Sequence, residues 1–396
     1  MNIFLLHNFP TPYRNYLFEE LNKACLKKGI FFEVHFYSQF DKSRPDWNYN
    51  SEDLNYPHRF WKTNFRYKSN LHLNLGLIKY IGNKKPDWII IGGLWSSINS
   101  ILLTLFRKSR LILWDEVNRF DFGSVNNRFY SVKRYLANRI SYFAIPGYES
   151  YLFYSQYLKL KRIESKIFLS LPNIIDETLF NKDKINNNYI KKFKEKYNID
   201  ANNIIIIWPA RHIPDKGILE FINHIDYTVL QKGIIILLGK GLLTNEIESL
   251  INVKKLNNKI ILIDYCQYNE MVNLYHLADI FILPSISDSN PLSIVEAIHC
   301  ELPILVSNRI GNIFEVIEDG INGYIIDPFD ISSVRRNLSL LLRESKESLK
   351  NMGLESKRIA MKNFSSKDVV SIFIDRLIEL EVYNEKTVGK RTNLYI

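Results

Sequence analysis

Cysteine is scarce: three in 396 residues, Cys25, Cys266 and Cys300, far apart and at no metal-ligand spacing. That weighs against a disulfide scaffold or a thiolate metal centre, and points to buried thiols in a reducing compartment. Long apolar runs are missing as well. No segment reaches the ~20 apolar residues that a membrane span needs, and the start, MNIFLLHNFP, has no basic leader region, so the expected location is the cytoplasm. Glycine and proline number only 16 and 13, too few for a disordered or fibrous chain. No G-x-G-x-x-G follows the first strand-like run of either half, which weighs against a dinucleotide oxidoreductase. Neither a D-x-D at a strand end nor a histidine pair at ligand spacing is found, so no metal is expected.

What is present is the composition of a globular protein with a substantial core, 46% hydrophobic and 24% charged. The length suits two domains of roughly 150–200 residues. The net charge of +10 is uneven: residues 1–180 hold 25 Lys/Arg against 15 Asp/Glu, and residues 181–396 hold 27 against 27. A basic first half raises the prospect of a nucleic-acid binder, but no recognisable module accompanies it and the second half is balanced.

Short β-rich runs alternate with amphipathic stretches: NIFLLH, RNYLFEELNKACLKKG, FFEVHFYS, DWIIIGG, RLILWDE and ISYFAIPG in the first half. The second half continues with NIIIIWPA, IIILLGKG, KIILIDY, DIFILPS and LPILVSN. Continuous apolar runs joined by helical patterns indicate parallel strands buried on both faces, so two doubly wound α/β domains are expected. The polar stretch 181–203 reads as a linker followed by a surface helix. After Asp330 the pattern is helical, ending on a stripe of Val369, Val370, Ile372, Phe373, Leu377 and Ile378.

Ligands of open α/β sheets bind beyond the carboxyl ends of strands. After IIIIW comes PARHIPDKG, with Arg211 and Lys216 ahead of a helix starting near Gly217, where free N–H groups and the dipole add to fixed charge. Taken alone, an anion site and a solvated loop pair are equally good readings. The glycine turn Gly239-Lys240-Gly241 is a weaker signal still. After DIFILPS, the loop ISDSN places Asp288 before a helix that Pro291 would open with Asn290 as cap, and Glu296 falls inside that helix. Five residues of helix rise about 7.5 Å, which sets the two carboxylates at opposite ends of an elongated ligand. The alternative is a turn-capping aspartate and a solvated glutamate. Glu296 suits that poorly, because an acid among Ile294, Val295, Ala297 and Ile298 needs a partner.

These stretches, in order from PARHIPDKG through LLGKGLL and SDSNPLSIVEAIHCELP to GNIFEVIEDGINGYIID, resemble the C-terminal domain of retaining GT-B glycosyltransferases of the family 4 type. The likeness runs over roughly residues 200–375, and more loosely through LPNIID, IPGYESYLFYS and LILWDE in the first half. It implies two Rossmann-like domains facing a central cleft, with residues 1–185 binding acceptor, 186–365 binding nucleotide sugar, and 366–396 a closing helix and loose tail directed back to the first domain. Carried over by motif position, Arg211 and Lys216 hold the donor diphosphate, Glu296 accepts the ribose hydroxyls and Asp288 stands beside the sugar. Ser289, Asn290, Pro291, Leu292, Gly239 and Gly241 line the donor, and Tyr265, Cys266 and Gln267 lie near the base. The acceptor side would fall to His7, Tyr13, Arg14, Trp114 and Glu116. The chain departs from the commonest family form by having Asp288 for a glutamate, Ser289-Asn290-Pro291 for a glycine-aromatic-glycine loop, and HNFPTPYRN where a glycine pair is usual.

The resemblance implies a retaining transferase that moves a hexose-type sugar from a nucleotide diphosphate sugar to a saccharide or lipid-linked acceptor in cell-surface polysaccharide or O-antigen synthesis, without a metal or other cofactor. A nucleotide-sugar 2-epimerase or a phosphorylase on the same fold is the alternative. The basic aromatic stretch HRFWKTNFRYKSN reads equally as a patch for an anionic membrane, which would make the protein peripheral, or as a solvated loop.

Overall fold

The computed structural model describes residues 1–39, 51–67, 71–94, 97–106, 110–120, 130–264 and 266–386. The chain divides into two compact units: Met1–Ile175 with the closing helix Ser366–Lys386, and Asp176–Ser365.

The first unit carries strands β1 Asn2–His7, β2 Phe31–Phe36, β3 His58–Phe60, β4 Phe65–Tyr67, β5 Leu71–Leu73, β6 Trp88–Gly92, β7 Leu111–Trp114, β8 Tyr142–Ile145 and β9 Ile167–Ser170. Seven of them form one parallel sheet in the order β3-β2-β1-β6-β7-β8-β9, and β4 and β5 make a separate antiparallel ribbon. Leu5 sits in register between Val34 and Ile90. Successive residues of a strand enter different cores: Ile3 and Leu5 join Leu17, Leu21 and Trp88 on one face, while Phe4 and Leu6 join Leu77, Ile89 and Leu103 on the other. A strand buried on both faces has no polar alternation to show, which is why these runs are continuous.

The closing helix completes the first core with Val369, Val370, Phe373, Ile374 and Leu377. The expected stripe is corrected at one position: Ile374 points inward and Ile372 is 58% exposed. At 3.6 residues per turn, Ile374 shares the face of Val370 and Phe373, whereas Ile372 falls on the far side. The helix is further tied by Trp88 Nε1 donating to Glu381 Oε2 at 2.9 Å, by an Arg110–Glu381 ion pair, and by Ser366 Oγ donating to the Ile175 carbonyl at 2.7 Å.

The second unit holds β10 Ile204–Pro209, β11 Gly233–Leu238, β12 Ile260–Ile263, β13 Ile280–Leu283, β14 Ile304–Ser307 and β15 Gly323–Ile326, in the order β12-β11-β10-β13-β14-β15. All neighbours are parallel, and Ile206 lies between Ile235 and Ile280. The strand order reverses between β10 and β13, so their carboxyl ends form the switch point where this architecture opens a crevice. The stretch read as a linker and surface helix contains the helix Asn187–Lys196, whose Asn186 cap accepts from Tyr189 N. Cys25 and Cys300 are buried as expected, but Cys266 is half-buried because it follows β12 in a loop. All three are free thiols.

Candidate functional site

In the second unit the loops after β10 and β13 are knitted together at the switch point. Ile286 N and Ser287 N both donate to the Asp215 carbonyl, at 2.9 and 3.2 Å. Gly217 lies at φ +65°, and a Cβ there would stand 2.4 Å from the Pro284 carbonyl oxygen, so the turn requires glycine twice over, for its conformation and for its closeness. That closure brings Lys216 and Asp288 into a direct ion pair between Nζ and Oδ2. Sequence reading placed both at a donor site but did not join them.

The Asp288 loop rests on the segment after β14. Asp288 N donates to the Arg309 carbonyl at 3.4 Å, Gly311 N donates to the Asp288 carbonyl at 2.8 Å, and Arg309 Nε donates to the Ile286 carbonyl at 2.6 Å. A Cβ on Gly311 would lie 1.8 Å from the Ser289 carbonyl oxygen. Arg309 and Gly311 are therefore site-building residues that the motif reading missed. The helix itself spans Leu292–His299, and here the structure corrects the expected start. Pro291 stands at the cap position with ψ 116°, which is extended rather than helical, and its carbonyl accepts from Asn312 Nδ2 at 3.4 Å. Asn290, buried, precedes the cap instead of forming it, Ser289 and Leu292 are half-buried on either side, and the proline's missing N–H falls one position earlier than the first turn.

Glu296 is buried in that helix. Its Oε2 accepts from the Tyr275 hydroxyl at 2.7 Å. Burial pushes its carboxyl up to about 7, partly offset by the Tyr275 hydrogen bond. The partner that a buried acid requires is thus Tyr275, on the helix Tyr268–Leu277, and the motif reading did not name it. The signal was available: a tyrosine buried in an apolar helix must place its hydroxyl somewhere.

Around these groups, Gly239 and Gly241 pass against the loop after β10, where added Cβ atoms would stand 2.1 and 2.5 Å from the Ala210 and His212 carbonyl oxygens. His212 is buried, its Nδ1 is 2.9 Å from Thr244 Oγ1, and burial lowers its basicity. Arg211 is exposed and reaches no carboxylate within ion-pair distance among the described residues. Gln267 caps the Tyr268–Leu277 helix, with its N–H donating to Glu270 Oε2 at 2.8 Å. The Cys266 thiol is pushed up to about 11 by burial and by Glu270. Tyr265 lies outside the described residues.

In the first unit the acceptor-side candidates gather at the carboxyl edge of β1 and β7. Arg14 is buried, with Nη2 2.6 Å from Glu116 Oε2, Nη1 donating to Asn173 Oδ1 at 2.7 Å, and its guanidinium 4.2 Å from the Trp114 ring centroid and 5.1 Å from that of Tyr13. His7 closes the group, 5.8 Å from the Trp114 ring. Its Nδ1 is 3.2 Å from the Phe9 carbonyl, which only accepts, so the proton sits on Nδ1. Burial, then Arg14, lowers the imidazole to about 3, so it is neutral at ordinary pH. Asn173 is the member that sequence reading missed. Asp115, beside Glu116, accepts from the buried Tyr154 hydroxyl at 2.7 Å and is turned to packing.

Residues 190–358 match the family model of glycosyl transferases, group 1. The matched residues contain the whole switch-point site. The chain is 25% identical over 232 residues to the alpha-monoglucosyldiacylglycerol synthase of Acholeplasma laidlawii, covering 57% of this chain and 56% of that one. It is 28% identical over 149 residues to an Escherichia coli UDP-Gal:alpha-D-GlcNAc-diphosphoundecaprenol alpha-1,3-galactosyltransferase, covering 35% and 37%. The chain thus spans about half, or less, of the curated relatives it matches. Solved structures share the fold over nearly the full length. A glycosyltransferase from Rickettsia africae superposes with a TM-score of 0.72 at 17% identity, covering 98% of this chain and 99% of that one. Anabaena HepE in complex with UDP and glucose superposes with 0.70 at 18%, covering 96% and 99%. The fold is the two-domain α/β GT-B architecture.

Proposed function

We propose that this chain is a retaining glycosyltransferase that moves a hexose-type sugar from a nucleoside diphosphate sugar to a saccharide or lipid-linked acceptor, in the assembly of cell-surface polysaccharide or O-antigen. The observation that carries the reading is the Lys216–Asp288 ion pair at the β10–β13 switch point, followed along the chain by the helix that holds the buried Glu296, inside the segment that matches group 1 glycosyl transferases. The relatives named above are an alpha-monoglucosyldiacylglycerol synthase and a galactosyltransferase, which disfavours the epimerase and phosphorylase alternatives.

In this reading the glycosidic bond to the diphosphate breaks and negative charge grows on the leaving oxygen, so preorganised donors aimed there carry most of the rate. Lys216 competes between Asp288 and that phosphate, Arg211 adds a second cation, and the Leu292–His299 helix presents its N–H groups. Glu296 accepts the ribose hydroxyls, and Asp288 stands beside the sugar. The acceptor oxygen attacks the same face of the anomeric carbon and gives its proton to the departing phosphate oxygen. Since the cations already neutralise that phosphate, activity should survive a chelator. His7, Tyr13, Arg14, Trp114 and Glu116 form the acceptor side of the first unit.

The stretch 58–70, part of which lies outside the described residues, is proposed to meet anionic lipid at the cytoplasmic face of a membrane; absence of flotation with anionic liposomes at low salt would refute that. No described helix is long and apolar enough to cross a membrane. The test of the main reading is a panel of labelled nucleotide sugars, UDP-sugars first, scored for saturable hydrolysis and for transfer to saccharide and lipid-linked acceptors. Anomeric analysis of the product by NMR should show retention. Inertness towards every donor, or an inverted product, overturns the proposal.

A further inference from the structure

We infer that Tyr275 is a positioning residue for nucleotide binding, holding the Glu296 carboxylate by one oxygen so that the other is left to accept from the ribose of a nucleoside diphosphate. The inference rests on the reading of Glu296 as the donor's ribose acceptor.

The geometry is specific. Tyr275 is fully buried, with its ring against Phe180 at 5.9 Å in an edge arrangement and against Phe281 at 6.4 Å in a stacked one. Those contacts leave the hydroxyl facing the first turn and a half of the Leu292–His299 helix, where it lies 2.7 Å from Glu296 Oε2 and 3.3 Å from the Ser293 carbonyl. A phenol has one proton, and the shorter, charge-assisted contact to the carboxylate takes it. Glu296 Oε1 keeps its lone pairs for a ligand. Two vicinal hydroxyls donate best to an ionised carboxylate, and the Tyr275 proton stabilises that ionised form where burial opposes it.

The other titratable groups packed around this helix do not take over that task. His276 and His299 are held neutral by burial, the Cys300 thiol is pushed up by burial, and Lys357, on the helix Lys346–Phe364, is bound to the His299 carbonyl at 3.1 Å. Glu177 lies on the short turn Glu177–Phe180 and Glu315 on the helix Ile313–Val316, and β13 and β14 bring no ionisable side chain. Among the described residues, Tyr275 alone is hydrogen-bonded to the Glu296 carboxylate.

The experiment is calorimetric titration of UDP, GDP, ADP and CDP into the full chain from about pH 5.5 to pH 8.5, then of the tightest binder into Tyr275→Phe, Glu296→Gln and the double variant. Wild-type affinity should fall on the acid side of an inflection near 7. Tyr275→Phe should weaken binding by about 10-fold, the value of one charge-assisted hydrogen bond, and move the inflection upward. Replacement of Tyr275 by 3-fluorotyrosine, whose phenol is more acidic and whose ring fits the same space, should move it downward. Glu296→Gln should bind weakly with no inflection, and adding Tyr275→Phe to it should cost nothing more. A purely structural tyrosine would leave the inflection in place and would cost the same in both backgrounds; either result overturns the inference while leaving the donor site standing. Failure of the wild type to bind any of the four nucleotides, or equal binding by wild type and Glu296→Gln, overturns the functional reading itself and the inference with it.

Discussion

Replacing Glu296 by glutamine should make the protein more stable in mild alkali while removing its nucleotide affinity. Burial raises the carboxyl from 4.5 to about 7 in the folded chain. The folded state therefore holds a proton through a window in which the unfolded chain has lost it, and stability must fall as pH rises from about 4.5 to about 7. A raised shift of about 2.5 pH units corresponds to roughly 3 kcal/mol once both states are ionised, at 1.36 kcal/mol per unit. Glutamine keeps the shape and the Tyr275 hydrogen bond but does not titrate. Between about pH 5 and pH 8 the wild type should thus lose about 2–3 kcal/mol that Glu296→Gln retains. The assay is urea unfolding at several pH values, read through a fluorotryptophan resonance at Trp208, the single tryptophan of residues 176–365. A gap between the two proteins that stays constant with pH would refute the reasoning, because it would mean that Glu296 is not ionised at a cost inside the fold.

Lys216→Ala should lower turnover by ~100-fold or more, as loss of a single preorganised donor does elsewhere, and unchanged single-turnover transfer would remove Lys216 from the chemistry. Gly217→Ala must both strain a left-handed turn and push on the Pro284 carbonyl; a loss of roughly 1–3 kcal/mol in unfolding free energy, with a matching fall in donor affinity, is expected from urea titration and calorimetry. Arg14→Ala removes one ion pair to Glu116, one hydrogen bond to Asn173 and the cation stacked on Trp114, so roughly 1–2 kcal/mol of stability should go. Acceptor KM should rise in that variant while the dissociation constant for the nucleotide is unchanged, and the opposite pattern would move Arg14 out of the acceptor side.

The strands were legible because burial on both faces writes itself into the chain as runs such as NIIIIW and DIFIL, and the parallel order then follows from the helices between them. Lys216, Asp288 and Glu296 could be singled out as candidates from the sequence, but their contacts could not. Lys216 and Asp288 are 72 residues apart, and their pairing depends on β10 and β13 being neighbours, a fact of topology that no local pattern carries. The start of the Leu292–His299 helix was read one residue early because proline's fixed φ suits both the cap and the first turn, and only ψ separates them. Ile372 and Ile374 are equally apolar in the sequence, and only the roll of the helix about Val370 and Phe373 turns one inward and the other to solvent. Tyr275 was legible as a hydroxyl that needs a partner, but YNEMVNLYHLAD does not announce that Glu296 lies opposite it.

The return of Ser366–Lys386 to the first unit has a consequence for how the chain is made. Residues 176–365 form a continuous stretch and can finish folding as soon as they leave the ribosome, whereas the sheet that begins at Asn2 keeps Leu17, Leu21 and Trp88 uncovered until Phe373 and Leu377 arrive. With synthesis at roughly 5–20 residues per second, that exposure lasts about ten seconds or more after Ile175 has been added. The unit that contains Asn2 is thus completed after the unit that follows it in the sequence, and a stop codon before Ser366 would leave that earlier unit, rather than residues 176–365, to chaperones and proteases.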